Sequence, residues 1–571
     1  MTGVLVAEAV GRTLAGLGVQ QVFGVVGSGN FHVTNALVDG GARFVAARHE
    51  AGAATMADAY ARVSGTVAAV SVHQGCGLTN ALTGVTEAAK SRTPLLVLAA
   101  EATAPRSTFF VDQPAIGTAV GVVSERVGSP RTAVADAARA YRRAVAERRT
   151  VLLNLPLDVQ AEPCPDNALG IPPEPAVAAP LPSAGAVRDL AALLARARRP
   201  VFLAGRGARL ADARASLEQL ADACGALLAT SAVAKGLFAG SPWSLDVSGG
   251  FATPLATELI SAADVLVGWG CALNMWTMRH GRLVGPDATV VQVDVDPEAL
   301  GAHRPVDLGV LGDVELTARA VIGELVTARY PFARDGLATA GLARDGLATD
   351  GLAGYRSAGL RARIAAESRW RDVPYPDESD GTRIDPRTLT IGLDDRLPPD
   401  RVVAVDSGNF MGYPSMFLSV PDDDGFCFTQ AYQSIGLGLA TAIGAALARP
   451  DRLPVAACGD GGFLMGIAEL DTAVRLGLPL VAVVYNDDAY GAEVHHFGPD
   501  GFGLSTVTFP DTDIAAIGRG FGCASATVRT PADLKAVDDW LDGPRDTPLV
   551  LDAKVTATHG SWWLEEAFRG H

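Results

Sequence analysis

Residues 459–491 read GDGGFLMGIAELDTAVRLGLPLVAVVYNDDAYG, and this stretch decides the fold. The apolar run at 455–458 predicts a short buried strand that ends on Gly459-Asp460-Gly461. Leu464, Ile467, Leu470, Ala473 and Val474 then recur at helical spacing, and a second apolar run, 478–485, stops at Asn486-Asp487-Asp488. A strand–helix–strand unit joining parallel neighbours is almost always right-handed. It places Asp460 and Asp487 at the carboxyl ends of adjacent strands, the edge where open α/β sheets take ligands. Two carboxylates there, beside glycines that let a phosphate approach the backbone, suit a Mg²⁺ ion holding a diphosphate. The plainer alternative is a glycine-rich turn with solvated aspartates, and for Gly-Asp-Gly alone it would be the better one.

Composition narrows the rest. Of 571 residues, 49% are hydrophobic and 19% charged. Single cores stop growing near ~250–300 residues, so several domains are expected. A formal net charge of −16 argues against a nucleic-acid surface, which needs a basic face. Apolar runs of ~20 uncharged residues are absent, and the start MTGVLVAEAVGRTLAGLG has no basic leader region. A soluble cytoplasmic protein with no membrane partner is the expectation. Cysteines 76, 164, 224, 271, 427, 458 and 523 form no CxxC and read as reduced, mostly buried thiols.

Residues 1–165 alternate strand and helix. Strands at 22–26, 44–48, 66–72 and 94–100 end on Gly27-Ser28-Gly29-Asn30, His49-Glu50, His73-Gln74-Gly75 and the residues after Ala100. Such alternation implies a parallel sheet covered by helices on both faces, so Gly27, Ser28, Glu50 and His73 project from one edge. Residues 165–183 are proline-rich and mark a boundary. The segment 184–330 repeats the α/β pattern, with glycine turns AGRG and GWGCAL that do not by themselves establish nucleotide binding. Residues 333–352 are a tandem decapeptide, ARDGLATAGL then ARDGLATDGL, read as a solvated insertion within a linker at 331–383. A last α/β domain occupies 384–571, with a strand at 401–405 ending on Asp406-Ser407-Gly408-Asn409.

Gly-Asp-Gly after a strand, with an Asn-Asp pair 27 positions beyond the Asp, resembles the signature of thiamine-diphosphate enzymes. RHEAGAATMADAYARVSG (48–65) and HQGCGLTNALTG (73–84) resemble the matching segments of acetolactate synthases and 2-oxo acid decarboxylases. The resemblance implies three doubly wound parallel-sheet domains: pyrimidine-binding, middle and diphosphate-binding. It implies Mg²⁺ bound by Asp460, by Asp487 (where Asn is more usual) and by the carbonyl of Ala489. Gly408, Asn409, Gly459, Gly461, Gly462, Phe463, Asn486 and Tyr490 would line the cofactor, and Ile435 would press its two rings into a V shape. Glu50 would hydrogen-bond the aminopyrimidine N1′ and so favour removal of the thiazolium C2 proton. Ser28, His73 and Glu493 fall where decarboxylases of the benzoylformate and pyruvate type carry active-site groups, and Gln113 matches a glutamine near the substrate. For His73 a hydrogen-bonded strand-end histidine, and for Glu493 a surface glutamate, are equally good readings of the residues alone. Residues 293–313 look like the middle domain of the synthases. Some members hold FAD there, but CALNMWT (271–277) replaces their acidic-arginine turn, so a middle domain without flavin is preferred.

The implied activity is decarboxylation of a 2-oxo acid such as pyruvate, followed by transfer to a carbonyl acceptor. Decarboxylation without ligation is the alternative. Because the two cofactor half-sites of the family meet across a subunit interface, a homodimer or homotetramer is implied. A nicotinamide dehydrogenase could use similar sheets, but the chain has no well-formed GxGxxG.

Overall fold

A strand that returns through a helix pairs in parallel with its neighbour, and this chain does so throughout. The computed structural model describes residues 3–171, 178–328 and 354–564. Three six-stranded sheets form, and their paired strands run parallel. The first contains β1 (Gln21–Gly24), β2 (Arg43–Ala46), β3 (Ala68–Val72), β4 (Leu95–Glu101), β5 (Val123–Arg126) and β6 (Thr150–Pro156), ordered β2-β1-β3-β4-β6-β5. The second contains β7 (Pro200–Ala204), β8 (Leu227–Thr230), β9 (Ser244–Val247), β10 (Val265–Trp269), β11 (Thr289–Asp294) and β12 (Leu308–Leu311), ordered β12-β11-β10-β7-β8-β9. The third contains β13 (Arg401–Val405), β14 (Phe426–Phe428), β15 (Leu453–Gly459), β16 (Val481–Asn486), β17 (Ala524–Val528) and β18 (Leu549–Lys554), ordered β14-β13-β15-β16-β18-β17. The first and third sheets therefore share one topology, whereas the second has the dinucleotide-fold order 3-2-1-4-5-6.

Strands β3, β4, β6, β7 and β13 are buried along their whole length. Covered on both faces, they read as continuous apolar runs rather than alternating ones. One core cluster crosses from the first domain to the third. In it the helix Glu50–Ser64 packs on the helix Gly438–Ala448, joining Ala53, Met56 and Ala57 to Leu439, Ala442 and Ile443. Met56 and Ile443 are fully buried, each contributing about 1.5–3 kcal/mol of apolar burial. Gly444 makes the crossing close: a Cβ there would stand 2.2 Å from the carbonyl oxygen of Met56.

The helix expected after Gly459 is two short ones, Asp460–Gly466 and Glu469–Arg475. Three glycines weaken the first, and Gly466 sits against the carbonyl of Gly436, which turns the chain. In the middle domain the helical region after β7 is likewise split, into Arg206–Leu210 and Arg214–Cys224, around Asp212 at φ 50°. The decapeptide repeat at 333–352 lies outside the described residues. Residues 354–383, the rest of the expected linker, are packed against the middle domain in part. They contain the helix Ala358–Glu367, Ile364 enters the core of the middle domain, and buried Arg356 donates to the carbonyl of Ala226 at 2.8 Å. All seven cysteines are free thiols, and only Cys76 is exposed. Among the described residues no helix is long and apolar enough to cross a membrane.

Candidate active site

The β15–β16 ladder pairs Gly459 with Tyr485, so Asp460 and Asp487 leave neighbouring strands side by side. Burial pushes the Asp460 carboxyl up to about 6. Burial and then the charge of Asp460 push Asp487 up to about 7. Their turn is closely built. A Cβ at Gly491 would stand 2.3 Å from Oδ2 of Asp487 and 3.1 Å from Nδ2 of Asn409, and the Tyr490 ring lies against Gly461. Tyr490 is itself held edge-on by Phe509 and by donation of its N–H to the Val507 carbonyl at 2.8 Å. Ala489 belongs to the same turn, bridged to Thr508. Two half-desolvated carboxylates that repel each other fit a hard divalent cation, which removes the repulsion and keeps both ionised.

Asn486 works inside the protein. Its Nδ2 donates to Asp552 at 2.8 Å and its Oδ1 accepts from the Asp488 N–H at 3.1 Å. Asp488, at φ 56°, is ion-paired with Arg383. The Phe463 side chain is fully buried in the core, which leaves only its backbone to face a ligand. Asn409 accepts at Oδ1 from Ser561 Oγ at 2.5 Å. Beside that turn a cavity of about 220 Å³ opens, walled in part by Trp370, Tyr375, Tyr413, Ser561 and Trp562.

Asp406 was not singled out by motif and is central here. Fully buried, it accepts the N–H groups of Ser407 at 2.8 Å, Gly436 at 3.0 Å and Leu437 at 3.1 Å. Burial pushes it up to about 6, against the pull of those donors. It ties the turn that carries half-buried Ile435 to the end of β13, immediately before Gly408, which stands at φ 135°. Its position at a strand end, before Ser-Gly-Asn, was the available signal.

The first domain assembles a second group. Ser28 Oγ lies 3.4 Å from His73 Nε2, and His73 Nδ1 lies 3.1 Å from the carbonyl oxygen of Gln74. A carbonyl only accepts, so Nδ1 carries the proton and Nε2 offers its lone pair to the Ser28 hydroxyl. Phe109 packs edge-on against the imidazole, with centroids 5.3 Å apart. Gln113 is buried. It accepts from the Gly75 N–H at 3.3 Å and donates to Asn154 at 2.9 Å, so it fixes the turn after His73 rather than facing solvent. Glu50 opens its helix, where the macrodipole favours negative charge. Its Oε2 accepts from Asn80 at 3.1 Å. Glu493 is half-buried on the helix Gly491–Phe497, and among the described residues its carboxylate has no hydrogen-bond partner.

Among the described residues no hydrogen bond or ion pair joins Ser28, Glu50, His73 or Gln113 to Asp460, Asp487 or Asn409. The domains meet elsewhere, through Glu469 on the N–H groups of Arg48 and His49 and through Glu87 on those of Ala431 and Tyr432.

Comparison with known proteins agrees with this division. The chain matches the thiamine pyrophosphate enzyme models for the N-terminal TPP binding domain over residues 5–116, the central domain over 187–321 and the C-terminal TPP binding domain over 406–553. It is 30% identical over 551 residues to the probable 2-ketoarginine decarboxylase AruI of Pseudomonas aeruginosa, covering 93% of this chain and 90% of that protein. It is 28% identical over 522 residues to a sulfoacetaldehyde acetyltransferase of Alcaligenes xylosoxydans xylosoxydans, covering 85% and 82%. The putative acetolactate synthase large subunit IlvB2 of Mycobacterium tuberculosis is 28% identical over 526 residues, covering 87% and 88%. With all three domains matched in order on three parallel sheets, the chain belongs to the thiamine pyrophosphate (thiamine diphosphate) enzyme family.

Proposed function

We propose that this enzyme is a Mg²⁺-dependent carboligase that decarboxylates pyruvate or a related 2-oxo acid and joins the remaining fragment to a second carbonyl compound. The bond to the carboxylate breaks with loss of CO₂, and a new carbon–carbon bond forms to the acceptor. The observation that carries the reading is the pair of carboxylates at neighbouring strand ends, Asp460 and Asp487, where the turn at Gly491 packs against Asn409. Thiamine diphosphate, when bound, supplies the electron sink for the pair left behind by CO₂. Asp460, Asp487 and the Ala489 carbonyl would hold Mg²⁺. Gly408, Asn409, Gly459, Gly461, Gly462 and the Phe463 backbone would hold the diphosphate, with Ile435 and Tyr490 beside the rings. Asn486 serves by fixing the metal turn. Among the described residues Asn80 occupies Oε2 of Glu50, so Oε1 would be the atom that hydrogen-bonds the pyrimidine. His73 Nε2 would exchange a proton with substrate through the Ser28 hydroxyl, and Gln113 would keep that turn in place.

We propose a homodimer or homotetramer in which subunits complete each other's sites; in support, no hydrogen bond or ion pair among the described residues links the two residue groups within one chain. For the middle domain we propose no flavin. In support, the crevice where its strand order reverses is bridged by its own backbone, the Gly207 N–H donating to the Gly270 carbonyl at 2.9 Å.

The acetyltransferase and synthase names among the relatives favour transfer to an acceptor. The Ser28–His73 contact and the decarboxylase name favour a second reading, in which the enzyme protonates the fragment and releases an aldehyde. Proton NMR of the purified enzyme with thiamine diphosphate, Mg²⁺ and pyruvate tests both, with Glu50→Gln as control. Acetolactate is the expected product, acetaldehyde alone selects the second reading, and a product formed equally by Glu50→Gln sinks the assignment of Glu50. If pyruvate gives nothing, larger 2-oxo acids replace it as donor.

A further inference from the structure

The first and third domains share a strand order, and they also hold each other by one repeated device. In each, the helical segment after the third strand sends a buried glutamate into the other domain. Glu87, from the helix Cys76–Lys90, is 0% exposed and accepts the N–H groups of Ala431 at 3.1 Å and Tyr432 at 2.7 Å. Glu469, from the helix Glu469–Arg475, is 2% exposed and accepts those of Arg48 at 3.1 Å and His49 at 2.9 Å. Both receiving segments leave the second strand of their sheet. The last carbonyl of each strand is held by an arginine of the opposite domain: Ala46 by Arg475 at 2.6 Å and Phe428 by Arg62 at 2.7 Å.

Each clamped segment runs on to a residue placed at the cofactor. Arg48 and His49 lead directly into Glu50. Ala431 and Tyr432 lead, through Gln433 at φ 60°, to Ile435, beyond which Asp406 holds Gly436 and Leu437. A contact needed only for cohesion is served at least as well by apolar side chains, because burying a carboxylate is costly. An ionised acceptor aimed at two consecutive N–H groups instead fixes where a backbone lies. We propose that Glu469 and Glu87 are reciprocal positioning residues, each lent by one domain to set the segment that presents Glu50 or Ile435 in the other. This rests on the proposed thiamine-diphosphate roles of Glu50 and Ile435.

The test uses the full chain with Glu469→Gln and Glu87→Gln, since glutamine keeps the volume but replaces one acceptor with a donor facing an N–H. Hydrogen–deuterium exchange without cofactor should show faster exchange at 46–50 in Glu469→Gln only, and at 428–436 in Glu87→Gln only. Calorimetry with thiamine diphosphate and Mg²⁺ should show affinity nearly kept in Glu469→Gln but reduced about tenfold or more in Glu87→Gln, the scale of a lost charged hydrogen bond. Exchange of the cofactor C2 proton should slow in Glu469→Gln by about tenfold or more. Unchanged exchange in both segments overturns the proposal, as does an identical loss in both variants spread over the whole chain. Should either glutamine variant not fold, Arg475→Met and Arg62→Met loosen the same two segments from their carbonyl side and must give the same segment-specific pattern. If the wild-type protein binds no thiamine diphosphate, the functional reading fails, while the exchange pattern still decides whether the clamps exist.

Discussion

Two buried carboxylates at neighbouring strand ends repel until a cation neutralises them. With Mg²⁺ withheld by chelator, Asp460→Asn should therefore melt at a higher temperature than the wild type. Adding Mg²⁺ should stabilise the wild type, by about 2.7 kcal/mol at a hundredfold excess over Kd, and leave the variant unmoved. A Mg²⁺-dependent melting shift retained in Asp460→Asn would remove Asp460 from the metal site. The Ser28–His73 pair gives a second prediction. Since Nε2 faces the Ser28 hydroxyl as its acceptor, His73→Phe should lower turnover by about 10²–10⁴-fold, the usual worth of a positioned acid–base, without changing cofactor affinity. Calorimetry beside initial rates separates these, and a loss confined to affinity would assign His73 a structural role. At this scale the sequence made the strand-end motifs legible, because Gly-Asp-Gly, Asn-Asp and His-Glu are local patterns. It did not show that Asn486 spends its side chain on Asp552, or that Asp406 gathers two backbone donors from the Ile435 turn beside that of its neighbour Ser407.

Among the elements, the crossing of the helices Glu50–Ser64 and Gly438–Ala448 matters most, since it joins the two cofactor domains. Gly444 sets opposing effects against each other there. On helix propensity alone, Gly444→Ala would gain about 1 kcal/mol. The Met56 carbonyl stands 2.2 Å from the new Cβ, and overpacking of that kind costs about 1–3 kcal/mol. The clash should win, and urea denaturation should show Gly444→Ala less stable than the wild type; a more stable variant would mean that the helices separate freely. Strands β3, β4, β13, β15 and β16 are legible in the sequence to within a few residues because parallel, doubly covered strands are uninterrupted apolar runs, whereas β5, β6, β17 and β18 were not read. The helix after Gly459 was read as continuous because its apolar spacing carries across the break, while the contact that turns it comes from Gly436 in another segment.

For the whole molecule, docking of the first domain on the third includes a charged contact with a defined pH dependence. Asp471 accepts from Arg48 at 2.6 Å and from Arg475 at 2.7 Å, and these hold its carboxyl down to about 2, Arg48 first. A depressed carboxyl adds stability that is present above its unfolded value near ~4 and is lost as pH falls toward the folded value. Both partners are exposed to solvent, which screens the pair and keeps the effect small. The gap in unfolding free energy between wild type and Asp471→Asn should be constant above pH ~4 and close toward pH ~2; a gap unchanged down to that pH would show that the pair contributes nothing. The sequence by itself determined three α/β units in a fixed order, the strand ends that carry the candidate site and the cofactor family. Periodicity, glycine turns and short motifs act within a few tens of residues, so one strand–helix–strand unit carries them. Only the tertiary structure decided which groups hold those strand ends in place. His49 and Glu469 are 420 positions apart, and a buried carboxylate can choose its backbone donors only after both sheets have folded and their helices have met.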